Sequence, residues 1–197
     1  MSEFWNAKYN REDFLYGTEA SQFIKEQLEK LASGKILFPA EGEGRNAVYA
    51  ATKGWDVTAF DPSSVGQQKA IKLANSKNVF ISYLLRGYEN VDFANETFNA
   101  IGLSFSHMPP DLRKQMHAKY IQWLKPDGTI ILELFSKEQL NYSSGGPKNI
   151  DMLLSQPELE EDFKSLSELN ITVEITELNE GSGHQGNASV IRLIGKK

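Results

Sequence analysis

The sequence predicts an α/β chain built on a seven-stranded, mostly parallel sheet with an antiparallel C-terminal hairpin and helices on both faces. Three observations carry this reading. Short apolar runs alternate with segments of helical spacing from residue 35 to residue 135, and parallel neighbours need such crossover helices. The last two apolar runs, 171–176 and 189–194, are joined too closely for a crossover, so they must pair antiparallel. A Gly-rich turn, Glu41-Gly42-Glu43-Gly44, follows the first run and opens a helix, and sheets of this class take their ligands at such a turn.

Each element has its own signal. Residues 1–17 are rich in aromatics (Phe4, Trp5, Tyr9, Phe14, Tyr16) and close on Gly17. Thr18-Glu19 then introduces a helix with Phe23, Ile24, Leu28 and Leu31 at helical spacing, stopped by Ser33-Gly34. Ile36 to Phe38 is a buried strand, and a helix starts near Asn46 with Ala47, Val48, Ala50 and Ala51 on its packed face. Asp56 to Asp61 is the second strand, and Pro62-Ser63-Ser64 enters a helix carrying Ala70, Ile71, Leu73 and Ala74. Val79 to Leu85 reads as the third strand and Phe98 to Phe105 as the fourth, followed by a helix from about Asp111 to Leu124. Lys125-Pro126-Asp127-Gly128 turns the chain into a fifth strand, 129–135. After a polar loop, 141–148, a helix with an acidic start spans about 157–166. The two closing strands flank a Gly-rich connection, 179–186.

Composition narrows the function classes. With 197 residues, 40% of them hydrophobic, the chain is long enough for one sizeable core and short for two. The expectation is a single domain over 1–197, with 1–33 as an N-terminal lid segment and helix. The formal charge of −5 gives no electrostatic case for nucleic acid or an anionic membrane as partner. There are no cysteines, which removes disulfides, thiolate metal ligands and a thiol nucleophile. No apolar run approaches the roughly 20 residues of a membrane helix, and no basic-then-apolar leader opens the sequence. A cytoplasmic protein acting on small molecules is expected, and nothing in the sequence specifies an oligomeric state.

The polar departures fall at the predicted C-terminal ends of the strands: Glu41 to Asn46, Asp61, Gly87-Tyr88, Ser104 to His107 and Phe135-Ser136. Gly42 and Gly44 let a ligand approach the main chain at a helix N-terminus. Asp61, about twenty residues on, is placed to accept hydrogen bonds from two ribose hydroxyls. Together they make half of a nucleoside-cofactor site. Gly42-x-Gly44-x-x-Ala47 also satisfies the dinucleotide pattern G-x-G-x-x-G/A, but 197 residues leave little room for the second region a dehydrogenase needs for its substrate.

The glycine turn, the acid ending the second strand, Leu124-Lys125-Pro126-Asp127-Gly128-Thr129 and the closing hairpin together resemble the Rossmann-like S-adenosylmethionine-dependent methyltransferases. Further phrases narrow the resemblance: Trp5-Asn6 leading to Tyr16-Gly17-Thr18-Glu19, Ala40-Glu41-Gly42-Glu43-Gly44-Arg45-Asn46-Ala47, Glu133-Leu134-Phe135-Ser136 with Gln139-Leu140, Gly145-Gly146-Pro147-Lys148, and Glu180-Gly181 with His184-Gln185-Gly186. These are similar to small bacterial methyltransferases related to the tellurite-resistance and thiopurine enzymes. The resemblance implies S-adenosylmethionine as cofactor, S-adenosylhomocysteine as product and a small-molecule acceptor such as a thiol, a chalcogen oxyanion or a metabolite. The cofactor residues it implies are Trp5, Tyr16, Glu41, Gly42, Glu43, Gly44, Asn46, Asp61, Pro62, Ser63, Gly87, Tyr88, Ser104 and His107. Trp5 and Tyr16 would close over the sulfonium as a cation-facing aromatic lid. One departure stands out: the family usually ends the first strand with an acid and then a glycine, where this chain has Phe38 and Ala40. Glu41 either reaches the methionine end of the cofactor or caps the turn.

Methyl transfer asks for alignment and exclusion of water more than for a base. His107 and His184 are the candidate catalytic residues, to orient the acceptor or take a proton, with Ser106, Met108 and the 142–148 loop as further pocket walls. The alternative for His107 is a strand-end histidine bonded to backbone, and for His184 a solvated hairpin position. His117 on a helix face completes no metal-ligand spacing, so no metal is expected, and Arg113 reads as an ion-pair residue. Two rival functions remain: a small nicotinamide-dependent oxidoreductase, and a module that binds S-adenosylmethionine without transferring methyl.

Overall fold

The structure is a computed structural model and describes residues 2–197; Met1, the first residue of the expected lid segment, lies outside them. Seven strands form one sheet in the order β3-β2-β1-β4-β5-β7-β6, with β1 at Lys35–Pro39, β2 at Asp56–Asp61, β3 at Ser82–Leu85, β4 at Phe98–Ser104, β5 at Leu124–Phe135, β6 at Glu168–Glu180 and β7 at His184–Lys196. The helices are α1 (Ser2–Tyr9), α2 (Gln22–Leu28), α3 (Arg45–Thr52), α4 (Ser64–Ser76), α5 (Pro110–Trp123) and α6 (Gln156–Asp162). The sheet is mostly parallel with antiparallel C-terminal strands, as the alternation of apolar runs and helices requires. Contacts group the chain into two compact units, one running up to Asp92 and including Glu180–Gly183, the other comprising Phe93–Asn179 and His184–Lys197.

In the first unit β1 pairs parallel with β2, and β2 with β3. Ile36, Leu37 and Phe38 have no exposed surface, which is why this strand is a continuous apolar run: a central parallel strand is covered on both faces. The packed face of α3 is small, Ala47 and Ala50, and that of α4 is Ala70, Leu73 and Ala74. Small residues bring the two helices together at one point, where a Cβ on Gly44 would lie 2.5 Å from the Cβ of Ala70.

The second unit pairs β4 parallel with β5 and β5 antiparallel with β7. Its core near the functional loops is Phe135, Leu153, Leu178, Ala188 and Val190, with Phe105 against it. A buried ion cluster joins α5 to α6. Arg113 bonds Asp162 at 2.8 Å and Glu158 at 3.3 Å, and the Nδ1 of His117 lies 2.8 Å from the same Asp162 oxygen. Arg113 is therefore an ion-pair residue, though a buried one, at 3% exposure.

Several boundaries differ from the sequence expectation. The third strand starts at Ser82 instead of Val79, because α4 overruns: Asn78 takes φ 55° and the Val79 N–H returns to the Ala74 carbonyl at 3.1 Å, leaving Phe80 at 83% exposure. The turn expected at Lys125–Gly128 is a bulge inside β5, where the register against β4 jumps from Phe98↔Leu124 to Ala100↔Thr129 and Asp127 takes φ 63°. The sixth helix stops at Asp162, not near Leu166. The closing strands are longer than their apolar centres, so the connection shrinks from 179–186 to Gly181–Gly183. Much of β6 is exposed, and its polar residues read as loop. The aromatic start contains a two-turn helix, α1, that the expected lid segment did not include.

No helix among the described residues is long and apolar enough to cross a membrane.

Candidate functional site

The turn after β1 is held open by three residues with left-handed backbone: Ala40 (φ 49°), Gly42 (φ 59°) and Gly44 (φ 90°). Ala40 adopts this conformation where the resembling family has glycine, at a cost of about 1 kcal/mol. Closure comes from the Gly44 N–H on the Glu41 carbonyl, 3.2 Å. Gly44 is the N-cap of α3 and has no side chain to offer its free N–H groups. Glu41 fills that role, its Oε1 accepting the Ala47 N–H at 2.7 Å. Of the two readings left open for Glu41, the geometry is that of a cap. Burial pushes its carboxyl up to about 7, against the pull of the Ala47 and Asn46 donors and of Arg45.

Asp61, the last residue of β2, is 3% exposed. One carboxylate oxygen accepts the Ser63 N–H at 2.8 Å and the other the Gly42 N–H at 3.2 Å. A carboxylate oxygen offers two lone-pair directions, so each retains one for a vicinal diol. Burial raises this carboxyl to about 6 in spite of those two bonds. Gly42 is gripped on its other side as well, since the Tyr83 hydroxyl donates to its carbonyl at 2.5 Å. Ser63 caps α4, accepting the Gly66 N–H at 3.0 Å and donating to Asn6 Oδ1 at 2.7 Å, while the Val65 N–H reaches the same Asn6 oxygen at 3.2 Å. That bond set docks α1 on the start of α4. Pro62, between Asp61 and Ser63, is half-buried.

Tyr9 and Trp5, four residues apart on α1, stack with ring centroids 5.3 Å apart. Tyr9 lies so close to the glycine turn that a Cβ on Gly42 would come within 2.4 Å of its hydroxyl. Burial, then the Asp61 charge, raises the Tyr9 phenol, and burial likewise raises Tyr83. Both stay neutral. Tyr16 is elsewhere: its ring lies against the hairpin turn, where a Cβ on Gly183 would be 2.4 Å from Tyr16 Cε1, and its carbonyl accepts from Arg45 at 3.3 Å. Glu43 points to the N-terminal segment, accepting the Leu15 N–H at 2.8 Å and pairing with Lys69 at 2.7 Å. Asn46 does the same, its Oδ1 accepting the Ser21 N–H at 2.9 Å. Gly87 precedes a short 3-10 turn at Tyr88–Asn90, tied back by the Arg86 N–H on the Asp61 carbonyl, and Tyr88 packs edge-on against Phe60 at 5.6 Å.

In the second unit, β4 ends at Ser104, and Phe105 takes φ 50°. The Oγ atoms of Ser104 and Ser106 are buried with no hydrogen-bond partner among the described residues. His107 has both ring nitrogens engaged: Nδ1 meets the Met152 carbonyl at 2.8 Å, and Nε2 accepts the Phe135 N–H at 3.3 Å. Burial holds this imidazole down at about 4. That is a backbone-bonded strand-end histidine, with no ring nitrogen left to take a substrate proton. His184 opens β7 and is 4% exposed, not a solvated tip; its ring packs against Phe105 at 4.4 Å and Phe135 at 5.2 Å. Ser144 anchors the 142–148 loop, accepting from Gln139 at 3.0 Å, while Lys148 is exposed. Among the described residues no group of three or more His, Asp or Glu side chains is placed to hold a metal ion.

Sequence reasoning missed Tyr9, Tyr83 and Asn6 as supports of the turn. The i, i+4 spacing of Trp5 and Tyr9 was a usable signal. Nothing local marks Tyr83, which reaches Gly42 from a strand 41 residues away in sequence.

Residues 36–128 match the methyltransferase domain family. No match to a curated protein was found. Among solved structures, a protein described under the conversion of a disulfide bond into a thioacetal group during echinomycin biosynthesis superposes with a TM-score of 0.76 at 14% identity, covering 100% of this chain and 90% of that one. TehB from Haemophilus influenzae gives 0.67 at 18% identity, over 100% of this chain and 66% of its own. An S-adenosylmethionine-dependent methyltransferase from Clostridium acetobutylicum gives 0.64 at 15%, over 88% and 89%.

The residues present fit that cofactor. Asp61 has acceptor capacity for the ribose hydroxyls, and the corner around it carries Glu41, Glu43 and Asp61. Its cations Arg45 and Lys69 are paired to Glu180 and Glu43. Such a corner suits a sulfonium and opposes a ribose phosphate. The domain match over residues 36–128 and the fold are those of methyltransferases that use S-adenosylmethionine.

Proposed function

We propose that the protein transfers a methyl group from S-adenosylmethionine to a small-molecule acceptor, a thiol, a chalcogen oxyanion or a metabolite, in the manner of the tellurite-resistance and thiopurine-related enzymes that its sequence resembles. The observation that carries the reading is the corner in which Asp61 accepts the Gly42 N–H while keeping acceptor capacity on both oxygens. The family match spans 36–128, and the rest of 1–197 is taken as part of the same domain.

The bound cofactor supplies an activated methyl group on a cationic sulfur, so the chain's own work is binding, orientation and exclusion of water. Asp61 takes the ribose hydroxyls. The main chain of Gly42 and Gly44, fixed by Asp61, Tyr83 and Glu41, faces the remainder, and Gly87-Tyr88 borders the adenine side. Trp5, stacked on Tyr9, supplies an aromatic face toward a cation, worth about 0.5–2 kcal/mol. Glu43, Asn46 and Tyr16 act through the N-terminal segment they hold.

The acceptor is placed by Ser104, Ser106, Phe105, Phe135 and His184 of the second unit. The two buried serine hydroxyls, unbonded among the described residues, are donors for an acceptor heteroatom. His107 keeps Phe135 in place by stacking at 5.6 Å and by its bond to the Phe135 N–H. Because His107 is held neutral on both nitrogens, it supports an acceptor that arrives already nucleophilic, as a thiolate or oxyanion does.

Incubation with S-adenosylmethionine and a panel of thiols, selenium and tellurium oxyanions and small metabolites should release S-adenosylhomocysteine with at least one acceptor. Tight binding with no release across the panel would make the protein a binding module. Preference for a nicotinamide cofactor would make it an oxidoreductase.

A further inference from the structure

We propose that Glu43, Arg45 and Lys69, although they sit in or beside the glycine turn, are positioning residues for the strap 13–17, with Glu180 and Gly181–Gly183 as the catch, and that cofactor exchange runs with release of this latch. The inference rests on the reading of the turn as the S-adenosylmethionine site.

Four sets of contacts meet on five residues of strap. Lys69 Nζ bonds the Asp13 carbonyl at 2.6 Å and Glu43 at 2.7 Å, and stands over the Phe14 ring at 5.1 Å. Glu43 accepts the Leu15 N–H. Arg45 donates to the Tyr16 carbonyl at 3.3 Å and to Glu180 at 2.9 Å. From the hairpin turn, the Gly183 N–H donates to the Leu15 carbonyl at 2.8 Å. The glycines of that turn fit the strap closely: a Cβ on Gly181 would lie 2.4 Å from the Leu15 oxygen and 2.5 Å from the Gly17 nitrogen, and one on Gly183 2.4 Å from the Tyr16 ring. A glycine turn whose missing side chains are all replaced by one neighbouring segment is a built seat for that segment.

The hold is mostly polar. Apart from Leu15, at 8% exposure, no strap residue is buried, so the segment is secured by hydrogen bonds from neighbours that are themselves ion-paired, Lys69 with Glu43 and Arg45 with Glu180, and not by a core. Such segments open locally without global unfolding. The strap begins four residues after Tyr9, which covers Gly42. Releasing residues 13–17 therefore removes one of two holds on the chain that carries Tyr9 and Trp5 over the turn, the other being the Asn6 bonds to Ser63 and Val65, while Asp61 on β2 and Glu41 in the turn before α3 stay in place.

The experiment uses Glu180→Gln, which keeps side-chain size and removes the charge, and Gly183→Ala, which presses on Tyr16. Hydrogen exchange of the Leu15 and Gly17 amides and the dissociation rate of S-adenosylhomocysteine by displacement are read on the full chain, alongside the melting temperature. Glu180→Gln should speed exchange at both amides and raise the dissociation rate about tenfold, the loss of one charge-assisted bond, with exchange in β1 and β2 unchanged. Faster strap exchange with an unaltered dissociation rate would overturn the coupling. Unaltered strap exchange in both variants would overturn the latch. If wild-type protein bound no S-adenosylhomocysteine, the cofactor reading and the coupling would both fall, and the exchange data alone would decide the latch.

Discussion

Asp61 accepts the main-chain N–H of Gly42 at 3.2 Å, so the acid that closes the second strand and the turn that follows the first are one corner. The Tyr83 hydroxyl holds the carbonyl of the same glycine at 2.5 Å. Gly42 is thus fixed at both its polar groups before any ligand arrives, and a preorganised turn loses little entropy on binding.

Substituting that glycine should therefore do more than strain the backbone. Gly42→Ala places a methyl 2.4 Å from the Tyr9 hydroxyl at a residue with φ 59°, and the stacked, buried ring cannot swing away freely. A loss of about 1–3 kcal/mol is expected from overpacking and the left-handed conformation. The denaturant midpoint of the variant measures it, and Tyr9→Phe in the same background should recover part of the loss.

Stability should depend on pH through Glu41. Its folded carboxyl is raised by burial to about 7, from an ordinary 4.5. The folded chain then holds this proton more tightly than the unfolded chain does. The resulting stabilisation is complete below about pH 4.5 and disappears as pH rises through about 7, a change on the order of 3 kcal/mol. Asp61, raised to about 6, acts in the same direction over a slightly more acidic range. Unfolding free energies of wild type and Glu41→Gln should converge at low pH and separate between pH 5 and 8, with wild type losing more; parallel curves would remove Glu41 from the account.

His107 should not titrate at physiological pH. With Nδ1 on the Met152 carbonyl, Nε2 on the Phe135 N–H and a pKa of about 4, its ring proton signals should hold constant from pH 5.5 to 9. An inflexion near 6.5 would show an accessible imidazole and restore it as a general base.

The ion cluster of the second unit predicts a large loss from a small change. Burial alone would raise Asp162, but bonds from His117 and Arg113 outweigh it and hold the carboxyl below its usual value. Asp162→Ala leaves Arg113 buried, with only the longer Glu158 contact, and should cost about 3–5 kcal/mol. In wild type the Asp162 contribution is present above the unfolded carboxyl range and is lost as pH falls through the depressed folded value. Chemical denaturation at pH 7 and pH 3 measures both effects.

Much of the fold was legible because burial leaves a periodic trace. Ile36–Phe38 and Ala47–Ala51 announce a covered strand and its helix, and the short link between the last strands dictates their direction. Legibility failed where residues answer to partners distant in sequence. Phe80 looks like strand but is helix exit. The polar ends of β6 and β7 look like loop because β6 is open to solvent. In the site, the closeness of Gly42 and Asp61 was readable from spacing, an acid ending one strand beside the glycine turn that follows its neighbour, and the two bond at 3.2 Å. Glu43 and Asn46 were read as ligands because they occupy the motif, whereas their side chains turn to Leu15 and Ser21. His107 could not be judged without Met152 and Phe135, which lie 45 and 28 residues away.

Whether S-adenosylmethionine is held through Asp61 is read by calorimetric titration of S-adenosylhomocysteine into wild type and Asp61→Asn. The substitution preserves shape and removes charge-assisted acceptance of the ribose hydroxyls, each bond worth about 1.5–3 kcal/mol. Wild type should bind, and the variant, folded by circular dichroism, should bind at least tenfold more weakly. Equal affinity in the two proteins would place the ribose away from Asp61, and no binding to wild type would remove the cofactor altogether.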